Sequence, residues 1–361
     1  MRVREGVVAA IRSRGEGWTE ATVRIAGEDG EAVALAYHGL TPELHPGDRV
    51  VLNTTAVHLG LGTGGFHFIT AVHGRTLEAA LEGHVMKVRY TPSQVKVLAV
   101  EEEDSPYREV MEGVPDLQGV PVAVGTLHSQ VPVVAATLRA LRPAVRIGYV
   151  MTDGAALPAA FSRTLPKLKA AGILDCVVTA GHAFGGDLEA VTAPSAIVAA
   201  VRAARCDAVI VAMGPGSVGT GTALGTTALE MGPLLDAAGA LGATPVAVAR
   251  VSFADPRERH HGISHHVITA LKHFTRGRAV VPLPHLDDPA QKRLLEREAE
   301  ELAAKGHEIR WIDGRGAYLR AKPLLERAGV RVTTMGRGDG EDPAFFFAAA
   351  AAGRYIGEEH L

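Results

Sequence analysis

The sequence predicts an α/β protein: a doubly wound, mostly parallel sheet with helices on both faces, preceded by a small N-terminal antiparallel β-barrel-like domain. Before residue 112, short apolar runs alternate with polar residues and are separated by turns, as in antiparallel strands. From residue 120 onward, near-continuous apolar runs alternate with helical periodicity, which is typical of a buried parallel sheet. At 361 residues the chain is long for one core, so we expect two domains, residues 1–112 and 120–361.

The N-terminal strands are predicted to be short and closely spaced. Val7, Ala9 and Ile11 point one way, and residues 21–25 repeat the alternation. Further runs follow at residues 32–37, 49–53 and from residue 66. Strands this short favour a closed or half-closed antiparallel barrel.

Two other features of this domain have open interpretations. Residues 60–65 hold four glycines, which suits either a loop around a ligand or a barrel corner. Residues 84–90 are predicted to form a strand with Lys87 and Arg89 on one face. That face would bind an anion or, more simply, lie in solvent.

The predicted α/β domain holds seven or eight strands. They cover residues 120–125, 146–151, 174–179, 207–213, 244–251, 278–283, 308–312 and, as an eighth, 331–335. Helical periodicity marks residues 133–141, 195–204 and 290–305. A helix over residues 158–171 must kink or restart near Thr164 because Pro166 lies inside it. The alanine-rich tail, residues 343–355, is predicted to dock as a last helix, or else to reach a second subunit.

Charge and cysteine content exclude several classes of protein. Lys and Arg number 37 against 40 Asp and Glu, with no long run of like charge, so we expect no nucleic-acid or membrane-surface partner. Two cysteines, both in apolar stretches, provide neither a disulfide framework nor a cysteine zinc site. The N-terminus lacks a signal-peptide pattern, and the longest apolar run is too short to cross a bilayer, so we expect a cytoplasmic protein.

The segments that follow the predicted strands are rich in groups that bind or transfer protons. In open parallel sheets, ligands bind beyond the carboxyl ends of the strands, where helix N-termini meet. Seven of the sixteen histidines lie in these segments: His128, His182, His260, His261, His265, His266 and His285. We therefore expect the functional site at this edge of the sheet.

The loop after the fourth predicted strand is the sharpest single signal. Its glycines would let backbone amides approach an anion closely, its hydroxyls add donors, and a helix is predicted to begin near Ala223. The loop matches G-x-G-x-x-G, but it follows the fourth strand and the next strand ends without an acidic ribose partner. Anion binding, dinucleotide binding and a simple packing turn all remain open. The candidate ligand-binding residues are Gly214, Gly216, Ser217, Gly219, Thr220, Gly221 and Thr222.

The loop after the fifth strand carries a histidine cluster. His261 and His265 are four residues apart and would share a helix face, as two ligands of one metal must. A third ligand would be Asp187, His182 or Asp255. Alternatively, Asp255 or Ser252 caps the helix and the histidines only form hydrogen bonds near its start. Arg257 is a candidate to bind a carboxylate or phosphate.

His128 and Ser129 form a second possible catalytic pair. Ser129 would be a nucleophile with His182 or His261 as base, or else the N-cap of the following helix, which we favour. Asp153 is either a turn former or a general base. The candidate catalytic residues are His128, Asp153, His182, Asp187, His261 and His265.

Several strings together resemble an uncharacterised bacterial family, domain of unknown function 3866. They lie at residues 53–57, 59–65, 84–92, 151–154 and 214–216, and the similarity extends from the first barrel strand to about Leu324. The resemblance implies no activity, substrate or catalytic residue.

We therefore expect an enzyme, a hydrolase or transferase using His and Asp for acid–base chemistry, that binds a small anionic metabolite. The residues transferring the proton would be His182 or His261, oriented by Asp153 or Asp187. The barrel would cover the crevice or mediate formation of a homo-oligomer, and the sequence specifies no cofactor. The alternatives are a noncatalytic metabolite or nucleotide sensor, a dinucleotide-binding oxidoreductase, or an assembly protein whose glycine loops only pack.

Overall fold

A computed structural model describes residues 1–62, 64–78 and 82–361, and the chain divides into two compact units, Met1–Leu98 and Ala99–Leu361. Residues 99–112, placed with the first domain above, belong to the second unit, where Ala99 pairs with Glu189. In the described part of the chain, no helix combines the length and the apolar composition needed to cross a bilayer.

The N-terminal unit contains a closed five-stranded barrel, as predicted. Its strands are β1 (Val3–Gly15), β2 (Trp18–Ile25), β3 (Ala32–Tyr37), β4 (Arg49–Asn53) and β5 (His67–Val72), and one helical turn, α1 (Thr55–His58), follows β4. The strand order β1-β2-β3-β5-β4 is antiparallel except for the β3–β5 pair, which is parallel. Val8 faces the core, and bulges after Val8 and after Ile11 shift the register of β1.

A separate hairpin follows the barrel, formed by β6 (Val85–Lys87) and β7 (Val95–Val97). The predicted strand over residues 84–90 is too long, because Val88 and Tyr90 have positive φ angles that a strand does not allow. The prediction that this face lies in solvent is also wrong for Lys87, because its side chain is fully buried. The glycine-rich segment 60–65 includes Thr63, which lies outside the described residues.

The second unit is built on an eight-stranded parallel sheet covered on both faces, which confirms the predicted α/β class. The sheet strands are β8 (Pro121–Gly125), β9 (Ile147–Thr152), β10 (Cys176–Ala180), β11 (Leu188–Ala190), β12 (Ala208–Met213), β13 (Thr244–Val248), β16 (Val280–Pro284) and β17 (Glu308–Ile312). A two-stranded antiparallel pair, β14 (Val251–Ser252) with β15 (Gly262–Ile263), lies outside it. The eighth strand is β11; residues 331–335 form no strand, which corrects that prediction.

The helices divide between the two faces of the sheet. They are α2 (Val131–Leu141), α3 (Leu165–Ala170), α4 (Ala193–Val198), α5 (Met231–Ala240), α6 (His265–Thr269), α7 (Pro289–Ala303), α8 (Gly314–Arg327) and α9 (Pro343–Glu359). The buried residues of α2, α3 and α8 pack in one core, and those of α4, α5, α6 and α7 pack in the other. Most buried residues of α9 belong to the first core, whereas Ala344 and Ala348 belong to the second. As predicted, the chain restarts a helix after Thr164, and the tail docks as α9 with Phe345 and Phe346 buried.

Strand order fixes where a ligand would bind. The order is β11-β10-β9-β12-β8-β13-β16-β17, with β8 near the centre. From β8 the chain runs outward to β11, returns to β12 beside β8, and then continues on the other side of β8 with β13. The loops after β8, β12 and β13 therefore meet at the point where the strand order reverses, which is the usual ligand position in such sheets.

Candidate functional site

A cavity of about 140 Å³ lies at this reversal point. All three loops contribute to its wall, and most of the side chains facing it are polar. The volume suits a small metabolite, since pockets for drug-sized ligands are typically about 300–1,000 Å³. The residues that line it are Thr126, Leu127, Ser217, Val218, Gly219, Thr226, Ala228, Arg250, Arg257, His260, Ser264, His266 and Met335.

Only part of the predicted glycine loop faces this cavity. Ser217 and Gly219 line it, whereas Gly214 packs against the Ala156 carbonyl. Of the predicted ligand-binding set, Gly214, Gly216, Thr220, Gly221 and Thr222 do not line the cavity in the part of the chain that is described.

The loop closes largely on itself. The Thr220 amide donates to the Gly225 carbonyl at 2.8 Å, and the Thr222 amide donates to Thr220 Oγ1 at 3.2 Å. The predicted helix near Ala223 is wrong: a 3-10 turn begins at Thr227, and α5 begins at Met231. These amides therefore stabilise the loop rather than point at a ligand.

A buried network of charges lies beside the cavity. Asp255, whose side chain is fully buried, accepts hydrogen bonds from Arg257 Nε at 2.8 Å and from Arg250 Nη2 at 2.9 Å. Arg337 Nη2 lies 3.5 Å from Asp255 and 3.3 Å from Asp342, whose carboxylate also accepts from Ser252. The Arg257 hydrogen bonds, together with Arg250, hold the pKa of Asp255 well below its usual range. Three guanidinium groups thus face two carboxylates, and the network is net positive.

Three histidines form the second feature, which we call the histidine cluster: His260, His265 and His266. One ligand nitrogen of each lies within 4.8 Å of the others, and the ring centroids of His265 and His266 are 3.9 Å apart. His260 Nδ1 lies 2.9 Å from Ser264 Oγ, and His266 Nε2 lies 3.3 Å from the Thr220 carbonyl. Burial, the main cause, lowers the pKa of His260 to about 3 and that of His266 to about 4, so both imidazoles are neutral at neutral pH.

The predicted pairing of His261 with His265 is not formed. α6 begins at His265, and His261 lies before the short strand β15, so the two do not share a helix. Gly262 separates them with a φ of 70°. His261 Nε2 instead contacts the Asp255 carbonyl oxygen at 2.6 Å. Of the predicted catalytic histidines, His265 alone belongs to the histidine cluster.

The other predicted catalytic residues lie outside the cavity. His128 is held between Tyr149 and Ser162, with Nε2 2.8 Å from Ser162 Oγ, and burial lowers its pKa to about 4. Asp153 Oδ2 accepts from the His182 amide at 2.9 Å, which ties the loops after β9 and β10 together.

Asp187 and Ser129 have roles other than the predicted ones. Asp187 lies at the amino end of β10, where Oδ2 accepts from the Val177 amide and Oδ1 pairs with Lys169, because residues 181–187 run back along the sheet. Ser129 does not cap α2. Instead the Gln130 side chain accepts from the Thr126 and Leu127 amides.

Sequence reasoning missed several groups that the fold brings near the site. Arg250 ends an apolar run, and Arg337 and Asp342 lie far along the chain, so no local pattern marked them. Glu230 was also missed. Both of its oxygens lie 2.9 Å from Thr152 Oγ1, and burial raises its pKa to about 7.

Comparison with known proteins identifies a family but assigns no function to it. A family model described as "Protein of unknown function (DUF3866)" matches residues 33–353. No curated protein matches the chain, and no solved structure matches it.

Proposed function

The chain belongs to this family, DUF3866, and we propose that it is an enzyme that binds a small phosphate- or carboxylate-bearing metabolite in the cavity beyond β8, β12 and β13. The proposed reaction class is hydrolysis or group transfer.

The observation that carries this proposal is the positive charge beside the cavity. Arg250 and Arg257 both line it, and each guanidinium has five N–H donors. Arg250 donates one hydrogen bond to the Asp255 carboxylate through Nη2, and Arg257 donates two to the same carboxylate through Nε and Nη2. The remaining donors suit an anionic oxygen, and Asp255 holds both guanidinium groups in place before a ligand arrives.

The cavity wall also supplies neutral side chains that can position a reacting water. His260 and His266 line it as neutral imidazoles, whose ring nitrogens can form hydrogen bonds to a bound water or substrate hydroxyl at neutral pH. This feature favours an enzyme over a sensor. The cavity volume argues against the dinucleotide alternative, since a dinucleotide needs a larger groove.

Calorimetric titration with inorganic phosphate tests anion binding. Arg257→Gln should weaken binding by about 10-fold or more, since a charge-assisted hydrogen bond is worth about 1.5–3 kcal/mol. Arg259→Gln is the matched control, because Arg259 lies exposed on the same loop and does not line the cavity in the described chain. Equal loss in both variants, or no binding by the wild type, would contradict the proposal.

Catalysis needs its own measurement. A panel of chromogenic phosphate and carboxylate esters should include one that the wild type hydrolyses and His266→Ala does not. Phosphate binding without turnover of any ester would favour the sensor.

A further inference from the structure

We propose that His260, His265 and His266 together bind one divalent transition-metal ion, with Zn²⁺ as the reference ion, on the wall of the anion cavity. The inference rests on the proposed function in one respect: the anion bound in the cavity would occupy the fourth coordination position of the metal ion.

The geometry of the histidine cluster brings three nitrogen ligands together from one short segment. All three ligand nitrogens lie within 4.8 Å of one another. Zn–N bonds of about 2.0–2.1 Å in tetrahedral geometry place nitrogens about 3.3 Å apart. The ring centroids of His265 and His266 already lie 3.9 Å apart, with the rings tilted by 39°. Rotation of the side chains would have to supply the remaining contraction.

The hydrogen bonds around the cluster leave a lone pair on each ring for the metal. When His260 Nδ1–H donates to Ser264 Oγ, Nε2 is the acceptor nitrogen. When His266 Nε2–H donates to the Thr220 carbonyl, Nδ1 is the acceptor. Metal-binding histidines typically donate the other ring N–H to a hydroxyl or carbonyl in this way, which fixes the ring orientation.

His265 supplies an independent observation. Its Nε2 is buried and has no hydrogen-bond partner among the described residues. An unpaired buried polar atom is costly, so such atoms usually indicate a missing water or ion. A metal ion bound to Nε2 would remove this cost.

The ligand set indicates the class of metal. Imidazole nitrogens suit Zn²⁺, Ni²⁺, Co²⁺ and Cu²⁺, whereas Mg²⁺ and Ca²⁺ prefer oxygen. Three histidines leave one position of a tetrahedral ion open, as in catalytic zinc sites. The nearby carboxylate of Asp255 is engaged by arginines, so the cavity anion is the fourth ligand that the arrangement favours.

Arginines near the cluster oppose a bare cation. Arg250 and Arg257 line the same cavity, and their charge repels a metal ion in an empty site. An anion between the metal and the guanidinium groups would offset that repulsion. We therefore expect Zn²⁺ to bind on its own and to bind more tightly when phosphate is present.

Zinc titration of the metal-free full chain, without phosphate, tests the site directly. The wild type should bind one Zn²⁺ per chain. His265→Ala should weaken binding by more than about 100-fold, beyond the 10–100-fold typical of losing an outer hydrogen-bonding partner. Ser264→Ala should weaken it by about 10-fold. Circular dichroism confirms that each variant is folded, and if His265→Ala is unfolded, Ser264→Ala decides the test.

His261→Ala is the matched control, since His261 lies in the same loop but contacts the Asp255 carbonyl instead. It should keep wild-type zinc affinity and a Co²⁺ spectrum typical of tetrahedral nitrogen coordination. No zinc binding by the wild type, equal affinity in His265→Ala and wild type, or equal loss in His261→Ala would overturn the inference. Phosphate binding to chelator-treated protein is scored separately, so failure of the anion site and failure of the metal site are distinguishable.

Discussion

Gly219 lies directly against the imidazole of His266: a Cβ built on the glycine would fall 2.5 Å from His266 Cε1. No pair of unbonded carbon atoms is stable at that distance. The loop after β12 and the histidine cluster therefore fit together only because residue 219 has no side chain.

Gly219→Ala should displace the His266 ring and weaken both zinc and phosphate binding by about 10-fold or more, the loss typical of a disturbed ligand orientation. Gly221→Ala is the control, because no atom lies within 4 Å of a Cβ at that position. Calorimetric titration of both variants checks this. Equal affinities in the two variants would mean that the His266 ring position does not matter for binding.

Asp255→Asn should destabilise the protein by about 3–5 kcal/mol, because it leaves the buried guanidinium of Arg250 without its carboxylate. Asp287→Asn, which breaks an exposed pair with Arg315, should cost less than about 1 kcal/mol. Urea unfolding at pH 7 gives both values. Similar small losses in the two variants would show that the arginine network contributes little to folding.

Glu230 should make stability depend on pH. Burial raises its pKa from 4.5 to about 7, so the folded state holds a proton that the unfolded state releases. The stabilisation is therefore complete below about pH 4.5 and is lost as pH rises through about 7, by on the order of 3 kcal/mol.

Glu230→Gln mimics the protonated carboxyl and should remove this dependence. The wild type should lose stability relative to the variant between pH 4.5 and 8 in urea unfolding. Glu300→Gln, at an exposed position on α7, should show no such difference. A constant gap between the wild type and Glu230→Gln across this range would contradict the prediction.

The sequence predicted the parallel sheet well because its strands are buried on both faces and leave long apolar runs. β11 was missed because Leu188–Ala190 is only three residues long and has Glu189 at its centre. Val330, Val332 and Thr334 alternate with more polar neighbours, yet Val330 and Val332 pack against the core of α2, α8 and α9 without forming a strand. Alternating apolar residues indicate that one face of a segment is buried. A segment can bury that face without forming hydrogen bonds to a neighbouring strand.

The candidate cavity lies at the sheet edge that the sequence indicated, but its side chains pair differently from the prediction. Spacing placed His261 with His265 on the assumption of a continuous helix, and β15 interrupts that helix. The arginine network could not be predicted from local sequence patterns, because Asp255 and Arg337 are 82 residues apart in the chain and come together only in the folded protein. Local spacing identifies which residue types gather at an edge, whereas their pairing depends on loop conformation.

The most direct measurement of the central claim is an anomalous difference map from crystals soaked in arsenate, a phosphate analogue with an arsenic absorption edge. We expect one strong peak per chain in the cavity, within hydrogen-bond distance of Arg250 or Arg257 and beside His266. A map whose peaks all lie elsewhere, with an empty cavity, would contradict the account.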